Sequence, residues 1–300
     1  MSATADRAAV TSGETGPVPG AHRFSHAAMA TLFEIHCVHA DAAYAGQAAQ
    51  AAFDLVDRLE REMSRFVANS DISRINELSA GQETRVSPET MACLLIARRM
   101  YDITGGAFDI SIGSGLADLD IVPDEFVVRA RAEGVRLDLG GVGKGYAIDR
   151  MAELLEEWEI FRAVVHGGFS SVLALEGPSE EGGWPLTLSS PWAGGQEILA
   201  HVSARHRAFS ASGTQKGDHI RDPLSGEAVR GRAAWAALPR AGEGQEDAAA
   251  VAEALSTAFM VLSPDRVAEL ARRWPGLEAW LLPEPAHEEI SGPPVIHVAG

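Results

Sequence analysis

The sequence predicts an α+β protein with mixed or antiparallel sheets flanked by helices. Helical and strand-like segments alternate along the chain without the regular strand–helix–strand rhythm of a parallel sheet. The second half is rich in short strand patterns of the kind that form hairpins. No internal repeat with a period of 20–50 residues is present, so a solenoid or a propeller is not indicated.

The first half of the chain supplies one strand and three helices. Alternating apolar residues predict a strand over residues 31–38, and a 3–4 spacing of apolar residues predicts a long helix over 41–66. Ser70 or Asp71 is placed to cap a short helix. Residues 87–104 begin with Ser-Pro, which is typical of a helix start.

The second half predicts mostly strands. Their segments are 163–166, 171–175, 184–188, 197–202, 206–209 and 277–282. The strand at 206–209 is expected to lead into a loop at 210–213. Two helices are predicted over 250–262 and 263–273.

Residues 135–150 combine a strand pattern, a glycine-rich loop and a helix pattern. Four glycines fall within six residues, and Lys144 stands among them. That order presents backbone N–H groups and a positive helix end to an anion. Asp138 and Gly145 break the Walker A pattern, and the dinucleotide fingerprint lacks its last glycine. The loop alone is equally consistent with phosphate binding and with a tight turn.

Charge and composition limit the function classes. Acidic residues number 42 and basic residues 25, so the net charge is −17. This argues against nucleic acid or an anionic membrane as the main partner. An anionic substrate would need a local positive site or a bound cation. Cys37 and Cys93 form no metal or disulfide pattern.

No apolar run approaches the roughly 20 residues of a membrane span, so we expect no membrane insertion. A cytoplasmic location fits the two isolated cysteines. Residues 1–22 are expected to form a disordered N-terminal arm. Residues 23–283 would form the functional domain, as one unit or as two lobes with the active site between them. A proline-rich tail covers 284–300.

Seven short segments carry a family resemblance. They are 63–66 with 70–76, 106–109, 137–149, 167–168, 212–213, 219–223 with 226, and 254–258. Taken in this order, they resemble the FAD:protein FMN transferases of the ApbE family from about residue 29 to residue 262. Each segment alone is weak, whereas seven in the same order indicate common descent and an ApbE-like fold.

The resemblance implies a specific reaction. Such enzymes bind FAD and a divalent cation, normally Mg²⁺. They cleave the pyrophosphate, attach FMN through a phosphoester to a Thr or Ser hydroxyl of an acceptor protein, and release AMP. Some members instead hydrolyse FAD to FMN and AMP. A pyrophosphate needs its charge neutralised before a hydroxyl can attack it, which suits a lysine and a metal ion.

The resemblance also implies roles for individual residues. His219 would orient or deprotonate the attacking hydroxyl, and Lys144 would stabilise the phosphoryl charge. The carbonyl near Gly143, the carboxylate of Glu253 and the hydroxyl of Thr257 would hold Mg²⁺. Contacts with FAD are implied for Met29, Thr31, Asp109, Asp138, Gly140, Gly141, Lys144, Gly167, Gly168, Ser212 and Gly213.

Simpler roles stay open for some of these residues. Met29 and Thr31 are also consistent with core packing, and Asp109 with capping its own loop. His219 is also consistent with a structural histidine that bonds the turn at Asp222. The position in the chain does not separate these alternatives.

The chain departs from the family pattern at several positions. Glu253 stands where the family usually has Asp, and Gly143 where it usually has Ala. His166 and Phe169 replace the usual Asn and Asp around the double glycine. The segment after residue 109 is also shorter than usual. These departures leave open an FAD pyrophosphatase, a flavin-binding protein that has lost catalysis, and a fold reused for another small ligand.

Overall fold

An antiparallel sheet of eight strands forms the middle of the fold. The computed structural model describes residues 10–12, 18–111, 113–192, 197–213, 220–223, 225–240, 247–284 and 295–299 of the 300-residue chain. The strands are β1 (Val10–Ser12), β2 (Ala21–Ala28), β3 (Thr31–Val38), β4 (Glu83–Arg85), β5 (Leu119–Val122), β6 (Val127–Ala130), β7 (Ala163–Gly167), β8 (Ser171–Ala174), β9 (Trp184–Ser189), β10 (Ile198–Ala204), β11 (Arg207–Gly213), β12 (Arg232–Pro239), β13 (Glu278–Pro283) and β14 (Ile296–Ala299).

Six α-helices are assigned within the described residues. They are α1 (Ala42–Met63), α2 (Asp71–Asn76), α3 (Pro88–Thr104), α4 (Gly143–Glu157), α5 (Ala248–Val261) and α6 (Pro264–Arg273), with short 3₁₀ turns at Leu116–Asp118 and Pro123–Glu125. The strand order in the large sheet is β14-β13-β12-β11-β8-β7-β3-β2. Two small sheets have the orders β1-β9-β10 and β4-β6-β5. The prediction of an α+β fold with antiparallel sheets and flanking helices is confirmed.

The two faces of the large sheet are buried against different layers. On one face, α4 and α5 pack on the central strands, and α1 packs on α4. On the other face, apolar side chains of the large sheet form a second core with β9 and β10. Neighbouring residues of β7 divide between these cores, since Val165 belongs to the first and Val164 to the second. The site described below lies on the helical face.

Four helix starts, those of α1, α2, α3 and α6, carry side-chain caps, and Ser263 caps α6. The Asp41 side chain accepts from the backbone N–H groups of two residues in the first turn of α1. Ser70 caps α2, and Ser87 caps α3 with Pro88 at its first position. The long helix was predicted to extend to residue 66, whereas α1 ends at Met63.

Residues 135–139 form no strand, and that part of the prediction is wrong. The backbone of Leu137 pairs instead with the side chain of Asn76. The Asn76 amide donates to the Leu137 carbonyl at 3.0 Å and accepts from its N–H at 2.6 Å. Asp138 donates its N–H to the carbonyl of Ile110 at 2.7 Å. The segment is therefore extended and hydrogen-bonded, but its partners are not a neighbouring strand.

Other differences concern strand limits. Residues 210–213, predicted as a loop, are the end of β11. Strand β12 was not predicted, because its many alanines favour helix more than strand. Strands β1 and β14 lie inside the predicted arm and tail, and β2 begins at Ala21. Sheet pairing thus extends beyond residues 23–283 at both ends, and the division into an arm, a domain and a tail stays a prediction.

Both cysteines are buried and free. Burial raises the pKa of the Cys37 thiol to about 11 and that of Cys93 further. Within the part of the chain that the structure describes, no helix has the length and apolar content of a membrane span. The cytoplasmic location stays a prediction.

Candidate functional site

The glycine loop enters α4 where this helix meets α5. Gly145 lies in the first turn of α4, and a Cβ built on it would lie 2.4 Å from the carbonyl oxygen of Ala249. Only glycine allows the two helices to approach this closely without a shift of the backbone. Gly145 therefore serves packing, whereas the loop before it remains available for a ligand.

Lys144 and Glu253 form an ion pair at this contact. The Lys144 ammonium pairs with one carboxylate oxygen of Glu253, and the backbone N–H of Gly145 donates to the other at 2.6 Å. The exposed fractions of the two charged side chains are 18% for Lys144 and 6% for Glu253. The pair is thus shielded from water, and the carboxylate is held at both oxygens.

A continuous chain of hydroxyl groups runs beneath the loop from Lys144 to Thr257. The contacts are Lys144 Nζ to Ser171 Oγ at 2.6 Å, Ser171 to Ser210 at 3.2 Å, Ser210 to Ser256 at 3.3 Å, Ser256 to Ser212 at 2.9 Å, and Ser212 to Thr257 at 3.3 Å. Three of these serines are buried. The network connects strands β8 and β11 with helices α4 and α5.

Thr257 lies directly below the glycine loop. Its hydroxyl donates to the carbonyl of Glu253 at 3.1 Å, one helical turn earlier. A Cβ on Gly141 would lie 3.5 Å from this hydroxyl and 3.1 Å from the ring of Phe108. The absence of a side chain at Gly141 keeps the space in front of the hydroxyl open.

The donors around Thr257 suit a divalent cation by their chemistry. A hydroxyl, a carboxylate and loop carbonyls are the hard oxygens that Mg²⁺ prefers. Glu253 and Thr257 share one face of α5, as predicted. One feature opposes a cation, because Lys144 already balances the charge of Glu253. No cluster of three His, Cys, Asp or Glu side chains is suited to a metal within the described ranges.

Asp138 closes the start of the loop. One carboxylate oxygen accepts from the N–H of Gly140 at 2.9 Å, and the other lies 2.8 Å from the guanidinium of Arg65. The same guanidinium stacks on Phe66, with 4.1 Å between it and the ring centroid. Phe66 is 79% exposed, so an apolar ring stands on the surface beside the loop.

Asp109 closes a turn of its own. Its carboxylate accepts from the N–H and the hydroxyl of Ser111 at 2.8 and 2.7 Å, and from the N–H of Gly113 at 3.1 Å. This geometry favours the capping alternative. A Cβ on Gly113 would lie 2.6 Å from the carbonyl oxygen of Pro223, so the turn packs on the segment that follows residue 219.

The predicted catalytic residue His219 lies outside the described residues, as does the rest of 214–219. The chain is described on either side of this segment. Ser212 and Gly213 end β11, and Ser212 belongs to the hydroxyl chain. On the other side, the backbone N–H of Asp222 donates to the carbonyl of Glu227 at 2.9 Å, and the carbonyl of Asp222 accepts from the N–H of Gly226 at 2.8 Å.

Met29 and Ala30 form the two-residue turn between β2 and β3. Both have positive φ angles, 49° and 56°, which side chains other than glycine adopt at a cost. Such backbone strain is common at functional sites, but Met29 also packs partly against the main core. Both alternatives for Met29 therefore keep support.

A second hairpin tip brings the double glycine to this turn. A Cβ on Gly168 would lie 2.3 Å from the hydroxyl of Thr31, and the Gly168 N–H donates to the carbonyl of Leu32 at 2.8 Å. A Cβ on Gly167 would lie 2.9 Å from Cγ of Lys144. The structure thus joins the Thr31 turn, the double glycine and Lys144 in one region.

His166 does not face that region. It alternates with Gly167 along β7 and lies on the same face as Val164, in the second core. Its ring centroid is 5.5 Å from that of His36, and neither Nε2 atom has a hydrogen-bond partner among the described residues. Burial lowers the pKa of His166 to about 3, with a smaller contribution from His36.

The buried serines of the network were missed by the sequence analysis. Ser210 and Ser212 alternate along β11 on the face that carries the site, and Ser256 precedes Thr257. The period of two at 210–212 was the available signal. It was overlooked because these residues were assigned to a loop.

Comparison with known proteins identifies the family of this chain. The model of the ApbE family matches residues 29–125 and 114–281, which is most of the chain. Among curated proteins, an FAD:protein FMN transferase of Vibrio cholerae is 22% identical over 277 residues, covering 79% of this chain and 80% of that protein. One from Escherichia coli strain K12 is 24% identical over 276 residues, covering 78% and 75%.

Solved structures show the same fold. The flavin transferase ApbE from Vibrio cholerae superposes with a TM-score of 0.77 at 18% identity, covering 93% of this chain and 97% of that one. The apo form of the flavinyl transferase ApbE of Pseudomonas stutzeri gives 0.76 at 19% identity, covering 93% and 94%. At this identity, the superpositions establish the fold.

Proposed function

Because the chain belongs to the ApbE family, we propose that it transfers FMN from FAD to a Thr or Ser hydroxyl of an acceptor protein and releases AMP. One observation carries this proposal. Lys144, Glu253 and Thr257 come from separate parts of the sequence, and they meet beneath the glycine loop within one hydrogen-bonded network.

The diphosphate of FAD would lie against the glycine loop and the start of α4. The helix begins at Gly143, so its positive end faces the loop. Lys144 adds a local positive charge, which an anionic substrate needs in a chain with a net charge of −17. Phosphoryl transfer depends mainly on positioning and charge neutralisation, and these groups provide both.

A divalent cation, proposed as Mg²⁺, would be held by the Thr257 hydroxyl, the Glu253 carboxylate and a carbonyl near Gly143. When bound, it would polarise the phosphoryl oxygens. Thr257 is positioned for this role by its bond to the Glu253 carbonyl and by the open space over Gly141. The hydroxyl chain from Ser171 to Ser212 fixes the side chains around it.

The proton of the attacking hydroxyl would pass to His219. The acceptor oxygen forms a bond to the FMN phosphorus, the bond from that phosphorus to the AMP oxygen breaks, and AMP leaves with the electron pair. An imidazole titrates near neutral pH and suits this step. Pro223, four residues further along the chain, packs on Gly113 in the turn that Asp109 closes.

The flavin part of FAD is proposed to lie towards the two hairpin tips. Met29, Thr31, Gly167 and Gly168 form this region, and the stem of Lys144 connects it with the loop. The two glycines leave room where side chains would collide with Thr31 and Lys144. Asp109 and Asp138 would act indirectly, by holding the turns that line the site.

The test is a flavinylation assay with the purified full chain. The protein is incubated with FAD, MgCl₂ and an acceptor domain that carries the Thr or Ser site. We expect flavin fluorescence on the acceptor band in a gel, with release of AMP in equal amount. Absence of both products would contradict the proposal, whereas FMN and AMP formed without an acceptor would indicate an FAD pyrophosphatase.

A second candidate is a flavin-binding protein without turnover. The observation that favours it is the engagement of both Glu253 oxygens by Lys144 and Gly145. Tight FAD binding without AMP release in Mg²⁺ or Mn²⁺ would support it. Recovery of AMP release in Glu253→Asp would instead indicate an enzyme whose cation site is altered.

A further inference from the structure

We infer that Lys144 and the divalent cation compete for the carboxylate of Glu253. The inference rests on the cation site in the proposed function, and it concerns the contact between Lys144 and Glu253. In the structure, the ammonium of Lys144 neutralises the carboxylate of Glu253, which is the group that would bind a cation. Lys144 therefore has two positions, one on Glu253 and one on the substrate diphosphate.

Both oxygens of the Glu253 carboxylate are engaged in the structure. One oxygen pairs with the Lys144 ammonium, and the other accepts the Gly145 N–H at 2.6 Å. The side chain is 6% exposed, so water contributes little to its neutralisation. A cation that takes this carboxylate must displace the ammonium or share an oxygen with it.

The length of the Glu253 side chain makes this contact possible. Glu253 lies on α5, and the atoms that it contacts lie in the first turn of α4. The close helix contact at Gly145 brings that turn within reach. An Asp at 253 would be one methylene shorter, so its carboxylate would reach less far from α5 towards Lys144.

Lys144 has a second hydrogen-bond partner, which would remain when a cation takes the carboxylate of Glu253. Its Nζ atom donates to Ser171 at 2.6 Å, and Ser171 is fixed by Ser210. The Lys144 stem lies beside Gly167, where no side chain restricts it. The ammonium can therefore leave Glu253 and remain partly hydrogen-bonded.

Electrostatics determines the direction of the effect. Two cations on one buried carboxylate repel each other strongly in a medium less polar than water. The bound ammonium must lower the affinity of Glu253 for the cation. Removing the ammonium charge should raise that affinity by about tenfold or more.

The test measures Mn²⁺ binding to the full chain without FAD, by the electron paramagnetic resonance signal of free Mn²⁺. The variants are Lys144→Met, which keeps an unbranched apolar stem and removes the charge, and Glu253→Gln. We expect Lys144→Met to bind Mn²⁺ about tenfold more tightly than the unmodified chain, and Glu253→Gln to bind it more weakly. Equal or weaker binding by Lys144→Met overturns the inference.

A second measurement needs no change at the site. The sequence contains two lysines, Lys144 and Lys216, so ε-¹³C lysine labelling gives two resonances. The Lys216→Arg variant assigns them. We expect added Mg²⁺ to shift the Lys144 resonance in the unmodified chain and to leave it unchanged in Glu253→Gln. A Lys144 resonance that does not respond to saturating Mg²⁺ overturns the inference.

These results are independent of the flavinylation assay. If the chain transfers FMN but Lys144→Met does not bind Mn²⁺ more tightly, the inference is wrong and the proposed function stands. If Lys144→Met binds Mn²⁺ more tightly but AMP is never released from FAD, the proposed function is wrong and the competition stands.

Discussion

The backbone N–H of Gly145 donates a hydrogen bond to the carboxylate of Glu253 at 2.6 Å, across 108 residues of sequence. A reciprocal contact lies one turn further along α4 and one turn earlier in α5. The Asp149 carboxylate of α4 accepts from the N–H groups of Ala249 and Ala250, at 3.0 and 2.8 Å, in the first turn of α5. The two helices that carry Lys144 and Thr257 are thus fixed to each other at both positions.

The first prediction concerns the close helix contact. Gly145→Ala would place its Cβ 2.4 Å from the Ala249 carbonyl oxygen and force α4 and α5 apart. We expect a loss of about 1–3 kcal/mol in the free energy of unfolding, measured by denaturant titration. The matched control is Gly46→Ala in α1, where the nearest atom is a ring carbon of Phe24 at 3.6 Å.

The control should be neutral or stabilising by up to about 1 kcal/mol, because alanine favours helix more than glycine does. Equal stability of the Gly145→Ala and Gly46→Ala variants would show that the helix contact is not tight.

The second prediction concerns Asp149, which is fully buried and whose pKa is raised by desolvation. Asp149→Ala leaves the N–H groups of Ala249 and Ala250 without their acceptor. We expect a loss of about 1–3 kcal/mol for each unpaired donor. Asp149→Asn keeps one acceptor oxygen and should lose less, as measured by chemical denaturation. Equal losses in both variants would contradict the role of the second oxygen.

The limits of sequence-based prediction are visible at Leu137. Its alternating apolar pattern predicted a strand, and Leu137 is indeed buried. Its backbone partners are supplied by the Asn76 side chain, 61 residues away, and no local pattern specifies that pairing. The order of motifs was enough to predict the α+β fold and its family, whereas the partner of an extended segment depends on tertiary structure.

The candidate site was likewise predicted in its motif residues but not in their tertiary contacts. Lys144, Gly141 and Thr257 were predicted from motif residues, and the structure brings them together. The ion pair between Lys144 and Glu253 was not predicted, because it depends on how closely two helices approach. The buried serines were missed for the same reason, since a serine on a strand becomes informative only when its neighbours are known.

The third prediction concerns the pH dependence of stability. His166 is neutral in the folded protein down to about pH 3, whereas in the unfolded chain it binds a proton near its ordinary pKa of 6.5. The unfolded state therefore gains protons first as the pH falls, and stability is lost between these two values. The contribution of His166 is about 1.4 kcal/mol for each pH unit below about pH 6.

We expect His166→Leu to lose this part of the pH dependence, measured as the free energy of unfolding from pH 7 to pH 4. The control is the exposed His201 on β10, changed to Gln. Parallel pH profiles for His166→Leu and the unmodified chain would contradict a neutral buried His166.

The fourth prediction concerns the hydroxyl chain. Ser256→Ala removes the hydroxyl that connects Ser210 with Ser212. We expect a loss of about 1 kcal/mol in stability and a reduction of AMP release, because the hydroxyls around Thr257 lose their fixed positions. The exposed Ser25→Ala variant is the control. Unchanged AMP release in a folded Ser256→Ala variant would show that the chain is not needed for positioning.

The most direct test of the account is the rate of AMP release from FAD by Lys144→Ala, with MgCl₂ and an acceptor domain present and circular dichroism as the check on folding. Lys144 supplies the positive charge at the glycine loop, so we expect the rate to fall about a hundredfold or more while the fold is retained. A rate equal to that of the unmodified chain would contradict the account, and it would show that residues 140–145 form only a turn.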